Sequence, residues 1–445
     1  MRDLCVSGPA LGRWLLLLVF SCLTACGGGG STDPAQPLAD GASAAMSQAR
    51  AVHGPSLILD APILEGHGTL AAVGALADGG YMVALWQPET PGIPSARIGV
   101  QRRDASGSPV GGPVSILVPG GRGDPVLIRP NGELLVAYFG GESTSYPAPI
   151  RLTVEVARFA SDGTPIGAPI VAFFTELSRQ PPSHSSFGEL RLAQWSSGEW
   201  IVGWLDVQNS TSGHQVLVYT RRFASDGQPI GPVRVDITSV GSGPQNDLAG
   251  NLGAFRLTTI EPDAYLAAIP QLLPGLPVGR ADLGFLSVGL ERPFDLPVAP
   301  VRQADWVTGP PVGSWVLPLR NGEAVLFSGD RGATVNDPLV DPYAQHFNRA
   351  GRRPPGQRDP IGSIPFTAVA LEDGGYVVVR AGPAGEPLAE RYDSHGKLLG
   401  EAVALPAFAM AATLVNGDVI LAYHNAAGDV YTQRLRLPLP RTPPN

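Results

Sequence analysis

Leu76-Ala-Asp-Gly-Gly-Tyr-Met-Val-Ala-Leu-Trp86 decides the fold, because near-copies of it recur down the chain. They are Pro130-Asn-Gly-Glu-Leu-Leu-Val-Ala-Tyr138, Ser197-Gly-Glu-Trp-Ile-Val-Gly-Trp204, Pro262-Asp-Ala-Tyr-Leu-Ala-Ala268, Arg320-Asn-Gly-Glu-Ala-Val-Leu-Phe327, Glu372-Asp-Gly-Gly-Tyr-Val-Val-Val379 and Val415-Asn-Gly-Asp-Val-Ile-Leu-Ala-Tyr423. Each reads as an apolar run, a tight turn and a second apolar run. Asp-Gly and Asn-Gly favour the type I′ turn, whose twist matches paired strands. A repeat of this period implies an array or a closed ring.

A second hairpin follows in most units. Val100-Gln-Arg-Arg-Asp-Ala-Ser-Gly-Ser-Pro-Val-Gly111, Val156-Ala-Arg-Phe-Ala-Ser-Asp-Gly-Thr-Pro-Ile-Gly167 and Thr220-Arg-Arg-Phe-Ala-Ser-Asp-Gly-Gln-Pro-Ile-Gly231 are the clear copies, with weaker ones at Gln345–Gly351 and Glu390–Gly396. Its proline opens an outer edge strand, where a missing N–H costs little. The interval from Gly198 to Gly322 has room for two units, and the degenerate copy at Asp263 fills it, with Arg280–Val288 as its third strand.

These observations predict an all-β chain: a seven-bladed β-propeller of four-stranded antiparallel blades over residues 55–440. The seventh unit carries strands near 409–415, 419–424 and 429–437 and then stops. Ser56-Leu-Ile-Leu-Asp-Ala-Pro-Ile63 has no hairpin partner of its own, so the sequence predicts that this N-terminal strand completes the last blade and closes the ring.

Composition agrees. Gly (56) and Pro (45) are abundant and charged residues scarce, which suits short strands and tight turns. The net charge of −8 argues against a nucleic-acid partner. Cys5, Cys22 and Cys26 all lie at the N-terminus, so nothing after Cys26 can form a disulfide or a thiolate metal site.

The N-terminus reads as an address. Arg2 and Arg13 precede the apolar run Trp14–Phe20, which is too short to span a bilayer. Leu23-Thr24-Ala25-Cys26 follows, then Gly27-Gly-Gly-Gly-Ser31. This resembles the lipobox of bacterial lipoproteins, which implies a signal peptide over 1–25 and a lipidated first residue at Cys26. Gly27 stands where inner-membrane retention would call for Asp, so the resemblance implies the outer membrane, on its periplasmic side or at the cell surface. Residues 26–54 read as a tether, whose flexible coil would reach roughly 30 Å. The repeat units are similar to those of large secreted bacterial proteins and lipoproteins. That likeness covers about 60–437, implies architecture, and carries over no catalytic residue.

Topology places the turns joining strands one to two and three to four at one end of each blade. The other end takes the long variable connections 87–96, 139–150, 174–189, 206–214, 237–253, 269–279, 300–312 and 328–341, where function collects on a rigid scaffold. Candidate binding residues there are Glu176, His184, Asp206, His214, Asp305, Trp306, Arg331, Asp337 and Asp341: carboxylates near an Arg and a Trp could grip a sugar or a peptide. Trp86, Trp200 and Trp204 fall at repeat positions and read as packing aromatics. The seven histidines show no zinc spacing. There is no Gly-x-Ser-x-Gly elbow, phosphate loop or calcium repeat, so no cofactor or metal is expected. Arg122-Gly-Asp124 and the sequon Asn209-Ser-Thr211 read as chance matches, and Ser196–Trp200, loosely similar to the Asp-box of sialidases, lacks the Asp and aligns better as a repeat turn.

The reading reached is a monomeric, membrane-anchored lipoprotein whose propeller is a binding or scaffold module for an envelope protein or glycan. A propeller enzyme of glycosidase or lyase type, with an acid pair drawn from different blades at the ring mouth, is the alternative. An outer-membrane assembly factor ranks below both, because its repeat signature does not recur here.

Overall fold

The computed structural model describes residues 57–87, 96–118, 125–141, 150–177, 184–210, 213–241, 255–260, 264–272, 281–289, 315–331, 339–347, 359–363 and 365–437, within the compact unit Ala51–Asn445. The chain is all-β: the described residues form antiparallel sheets and no helix. Six sheets follow one another along the chain, with strand order one to four. Sheet 1 is Thr69–Ala75, Tyr81–Trp86, Ala96–Arg103 and Val114–Val118; sheet 2 is Val126–Ile128, Leu134–Gly140, Ile150–Phe159 and Ile170–Leu177. Sheet 3 is His184–Gln194, Trp200–Ser210, Gly213–Phe223 and Pro229–Gly241. Sheet 4 shows three strands among the described residues, Arg256–Ile260, Ala264–Leu272 and Ala281–Gly289. Sheet 5 is Trp315–Pro318, Ala324–Arg331, Leu339–Phe347 and Asp359–Pro360, and sheet 6 is Thr367–Ala370, Tyr376–Ala381, Pro387–Tyr392 and Val403–Ala404.

Sheet 7 combines the two ends of the chain. Met410–Thr413, Val419–His424 and Asp429–Arg436 come from the C-terminal part, and both Ile58–Leu59 and Ile63–His67 pair antiparallel with Asp429–Arg436. Ile58 stands opposite Arg436, and Ile63 opposite Thr432.

The turns differ from the type I′ expectation. Leu76 N–H donates to Gly80 O and Gly79 N–H to Leu76 O, and among the described residues Glu189 alone has a positive φ without being glycine. That is a three-residue loop, a type I turn closed by a glycine in the left-handed region. Gly79 takes that place with φ 86°. The preceding Asx residue explains the choice: Asp78 Oδ1 accepts the Gly80 N–H at 3.0 Å, and Asn131, Asn321, Asp373 and Asn416 accept the corresponding N–H in their own copies. The same bonding pattern closes the strand three-to-four turns at Gly107, Gly163, Gly227 and Gly396.

Both faces of the second strands of sheets 1, 2, 3, 6 and 7 are buried. In sheet 2, Leu134, Val136 and Tyr138 pack with sheet 1, while Leu135 and Ala137 pack with Trp200, Val202 and Trp204 of sheet 3. Sheets 5 and 6, 6 and 7, and 7 and 1 share clusters of the same kind. First strands touch in chain order: Thr69–Ala75 lies against Val126–Ile128, and so on through Thr367–Ala370 to Met410–Thr413, which lies against Thr69–Ala75 again.

Polar latches repeat as well. Tyr81 of sheet 1 shares a 3.0 Å hydrogen bond with Thr432 of sheet 7, as Tyr265 of sheet 4 does at 2.9 Å with Thr220 of sheet 3. Arg434 of sheet 7 donates to Ala105 O of sheet 1, as Arg158 of sheet 2 donates to Asp226 O of sheet 3. The last sheet therefore meets the first with the chemistry that neighbouring sheets use.

Candidate functional site

Antiparallel alternation gives each sheet two ends. The end with the strand one-to-two and three-to-four turns is filled by internal polar contacts. Arg129 donates to Glu133, and to Gly198 O and Ser225 O of the next sheet, at 2.5, 2.7 and 3.0 Å. A turn acid pairs with the penultimate Arg of the third strand at Asp78–Arg102, Glu133–Arg158, Glu199–Arg222 and Asp373–Arg391. The Gly80 N–H first, and then Arg102, hold the Asp78 carboxyl below its usual range.

At the opposite end, the strands run further than the apolar pattern foretold. Ile170–Leu177 and His184–Gln194 occupy most of 174–189, and Trp200–Ser210 pairs with Gly213–Phe223 through 206–214. Backbone pairing continues past the apolar run because a ladder needs only N–H and C=O groups. The connections there are thus shorter than expected at sheets 2 and 3. At sheets 6 and 7 the second-to-third turns are three-residue loops closed by Gly385 and Gly428.

The candidate residues divide by sheet. Glu176, on the outer strand of sheet 2, is exposed and paired with Arg151 at 3.1 Å. His184 and His214 both stand opposite Asn209, so one rung of sheet 3 carries both. Asp206, opposite Phe187 and Leu217, is buried within that sheet rather than exposed on a loop. Tyr219, stacked on Trp204 at 5.5 Å, has its pKa raised by burial and then by Asp206. Arg331 stands opposite Leu339 at the end of a sheet 5 strand pair, with Asp341 two residues along the partner strand. Asp305, Trp306 and Asp337 lie outside the described residues, as does Cys26. Trp86, Trp200 and Trp204 are buried in the sheets.

One feature of this end has no counterpart among the sequence-chosen residues. Phe366 and Phe408, each just before a first strand, are 59% and 37% exposed with ring centroids 5.6 Å apart, and Met410, two residues past Phe408, is 38% exposed. Phe366 is fixed by its N–H, which donates to Val379 O at 2.7 Å. Polar side chains of sheet 6 are engaged with one another. Arg380 binds Glu390 through two nitrogens at 2.7 and 2.6 Å, Tyr392 donates to Glu390 at 2.6 Å, and Ser363 donates to Ala381 O at 2.6 Å. Burial and then Glu390 push the Tyr392 hydroxyl pKa up. What remains on offer is an apolar shelf. The only sequence signal for it was a lone Phe after Pro365, and another two residues after Pro406, outside the repeat pattern.

Among the described residues no group of three His, Cys, Asp or Glu could hold a metal ion, and no helix is long and apolar enough to cross a membrane.

No family model matches the chain, and no curated protein is similar to it. Among solved structures it is similar to prolyl oligopeptidase B from Galerina marginata bound to a 35mer substrate (12% identity, TM-score 0.42, 79% of this chain and 46% of that one). It is also similar to the α-L-arabinofuranosidase arb93a from Fusarium graminearum in complex with an iminosugar inhibitor (11%, 0.43, 85% and 98%). A third is the Penicillium chrysogenum α-L-arabinanase complexed with arabinobiose (13%, 0.43, 86% and 98%). The chain spans about half the length of the prolyl oligopeptidase. Likeness at this level carries no activity over to this chain.

Proposed function

We propose that the mature protein is a lipoprotein held at the outer membrane through Cys26, and that residues 55–440 form a seven-bladed β-propeller closed by the N-terminal strand. We propose further that it is a binding module, taking an envelope protein or glycan at the end opposite the tight turns. Closure is supported by first strands that touch in cyclic order and by the Tyr81–Thr432 latch, which repeats the Tyr265–Thr220 latch. The lipid anchor rests on Leu23-Thr24-Ala25-Cys26.

The observation that carries the binding reading is the exposed Phe366–Phe408–Met410 shelf. Exposed aromatics this close together mark contact sites, because covering them removes apolar surface from water. Glu390 of sheet 6 is already bonded to Arg380 and Tyr392, which favours binding over acid–base chemistry.

In-cell crosslinking and pull-down of the full lipidated chain tests this, with Phe366→Ser/Phe408→Ser as the comparison. A discrete partner or glycan captured by the wild type and lost in the double variant is the expected result. Equal capture by both, or capture by neither, overturns it.

A further inference from the structure

We propose that the tight-turn end docks on the membrane: it lays exposed aliphatic side chains on a phospholipid surface of neutral headgroups and turns the binding shelf away from the bilayer. The inference rests on the Cys26 anchor proposed above.

Strand direction fixes the end at which the chain enters the sheets. Ile58 stands opposite Arg436, and the Leu437 N–H donates at 3.2 Å to Asp418 Oδ1, in the first turn of sheet 7. Arg434, on the same strand, donates to Ala105 O in the three-to-four turn of sheet 1. Ile58 therefore lies at the tight-turn end. Ile63–His67 runs from there toward the other end, where Gly68 N–H donates to Gly428 O. Cys26 precedes Ile58 by 32 residues (58 − 26). Read as a coil, that length reaches roughly 30 Å. Crossing to the shelf end adds about 23 Å, the rise of a seven-residue strand such as Thr69–Ala75. An anchor at Cys26 thus holds the tight-turn end at the higher effective concentration beside the lipid.

That end carries apolar surface to match. Ile58, Val110, Ile166, Leu398 and Val415 are between 36% and 61% exposed. Val110 and Ile166 occupy one repeat position. Each follows the proline that bridges to the end of strand three, and its N–H donates to the carbonyl of Arg102 or Arg158. Leu398 takes the proline's place in sheet 6, bridging to Tyr392. A single exposed aliphatic residue is ordinary on any protein. Here sheets 1, 2, 6 and 7 all present one at the same end, which is the end that leads to Cys26. Each side chain that enters the acyl boundary gains transfer energy without a directional bond, so residues spread over four sheets suit a fluid surface.

Charge selects the headgroup. The exposed arginines of this end are matched by acids, Arg102 by Asp78, Arg320 by Glu372 and Arg436 by Asp60. Asp104, Asp162 and Asp226 stand exposed in the three-to-four turns. Anionic lipid is held by clusters of unmatched Lys and Arg, and the described residues of this end offer none. Neutral headgroups avoid the repulsion.

Photocrosslinking from the lipid reads the contact. The chain from residue 26 has one thiol, so Cys26 can be coupled to a maleimide phospholipid in phosphatidylcholine vesicles whose acyl chains carry a diazirine near the headgroup. Coupling supplies the anchor whether or not a cell does, and the intact mass of the protein extracted from cell membranes reads lipidation separately. Adducts in segments 104–111, 161–167 and 394–399 should exceed those in 365–368 and 407–411 by about fivefold or more, since only the first set would enter the boundary. Val110→Ser/Ile166→Ser/Leu398→Ser should cut the first set by about tenfold, because three apolar side chains leave the contact. The wild-type comparison of the two ends needs no variant. Replacing part of the lipid with phosphatidylglycerol should lower the first set further. Adducts equal at both ends or richer at the shelf, no change in the triple variant, or a rise with phosphatidylglycerol overturns the proposal.

Discussion

The two ends of these sheets are made by the same strands and differ in almost every other respect. At the tight-turn end an Asx side chain organises the first turns of sheets 1, 2, 5, 6 and 7, arginines cross from sheet to sheet, and turn acids pair with third-strand arginines. At the other end, sheets 6 and 7 leave two phenylalanines and a methionine exposed. The first end repeats because each copy solves the same problem, that of joining a sheet to its neighbour. The second departs from the repeat and brings two exposed aromatic rings within 5.6 Å of each other, whereas the exposed Val110, Ile166, Leu398 and Val415 of the first end are aliphatic. Repetition marks scaffold in this chain, and the proposed binding shelf lies where the repeat is broken.

Breaking the scaffold should cost most where charge is buried. Glu65, on the N-terminal strand, has a side chain with no exposure. It accepts from Arg103 at 2.7 and 2.8 Å, and from Thr432. Glu65→Ala leaves Arg103 buried without that partner, and urea unfolding should show a loss of about 3–5 kcal/mol. A smaller effect tests whether the seam between sheets 7 and 1 equals an interior one. Tyr81→Phe and Tyr265→Phe each remove one buried cross-sheet hydrogen bond, so each should cost about 1 kcal/mol, and the two losses should agree. A large disparity would separate the two seams. Smaller again is Asp78→Asn, which weakens an exposed pair with Arg102 but keeps an acceptor for Gly80 N–H. The expected loss is about 0.5 kcal/mol, falling with added salt. At the opposite end, Phe366→Ser should change stability by no more than about 0.5 kcal/mol while weakening capture of the partner. A large loss of stability there would make the shelf part of the core and erase the contrast between the ends.

Much of the scaffold was legible because the turn chemistry is local. Asp78, Asn131, Asn321, Asp373 and Asn416, each followed by glycine, announce their hairpins, and alternation along Val100–Arg103 and Val156–Phe159 announces the third strands. The turn type was misjudged, since Asx-Gly serves both a two-residue loop and the three-residue loop found here. Strand ends were misjudged too: Asp206, Gln208 and Asn209 look like loop residues, yet pair with Leu217, Gln215 and His214 because the ladder is indifferent to side-chain polarity. The site was hardly legible. Glu65 resembles any loop carboxylate until it meets Arg103. Pairings of this kind exist only once the sheets are stacked.

Pairing of the N-terminal strand with the last C-terminal strand is the central claim, and a double-cysteine crosslink tests it most directly. No cysteine follows Cys26, so Ile58→Cys with Arg436→Cys, in the chain expressed from residue 27, introduces the only two thiols. Both sites are exposed and stand opposite each other in the register. The account predicts a rapid intramolecular disulfide on mild oxidation, and little of it when the second cysteine is moved one residue, to Leu437→Cys. No intramolecular crosslink, or equal crosslinking at 436 and 437, would contradict it.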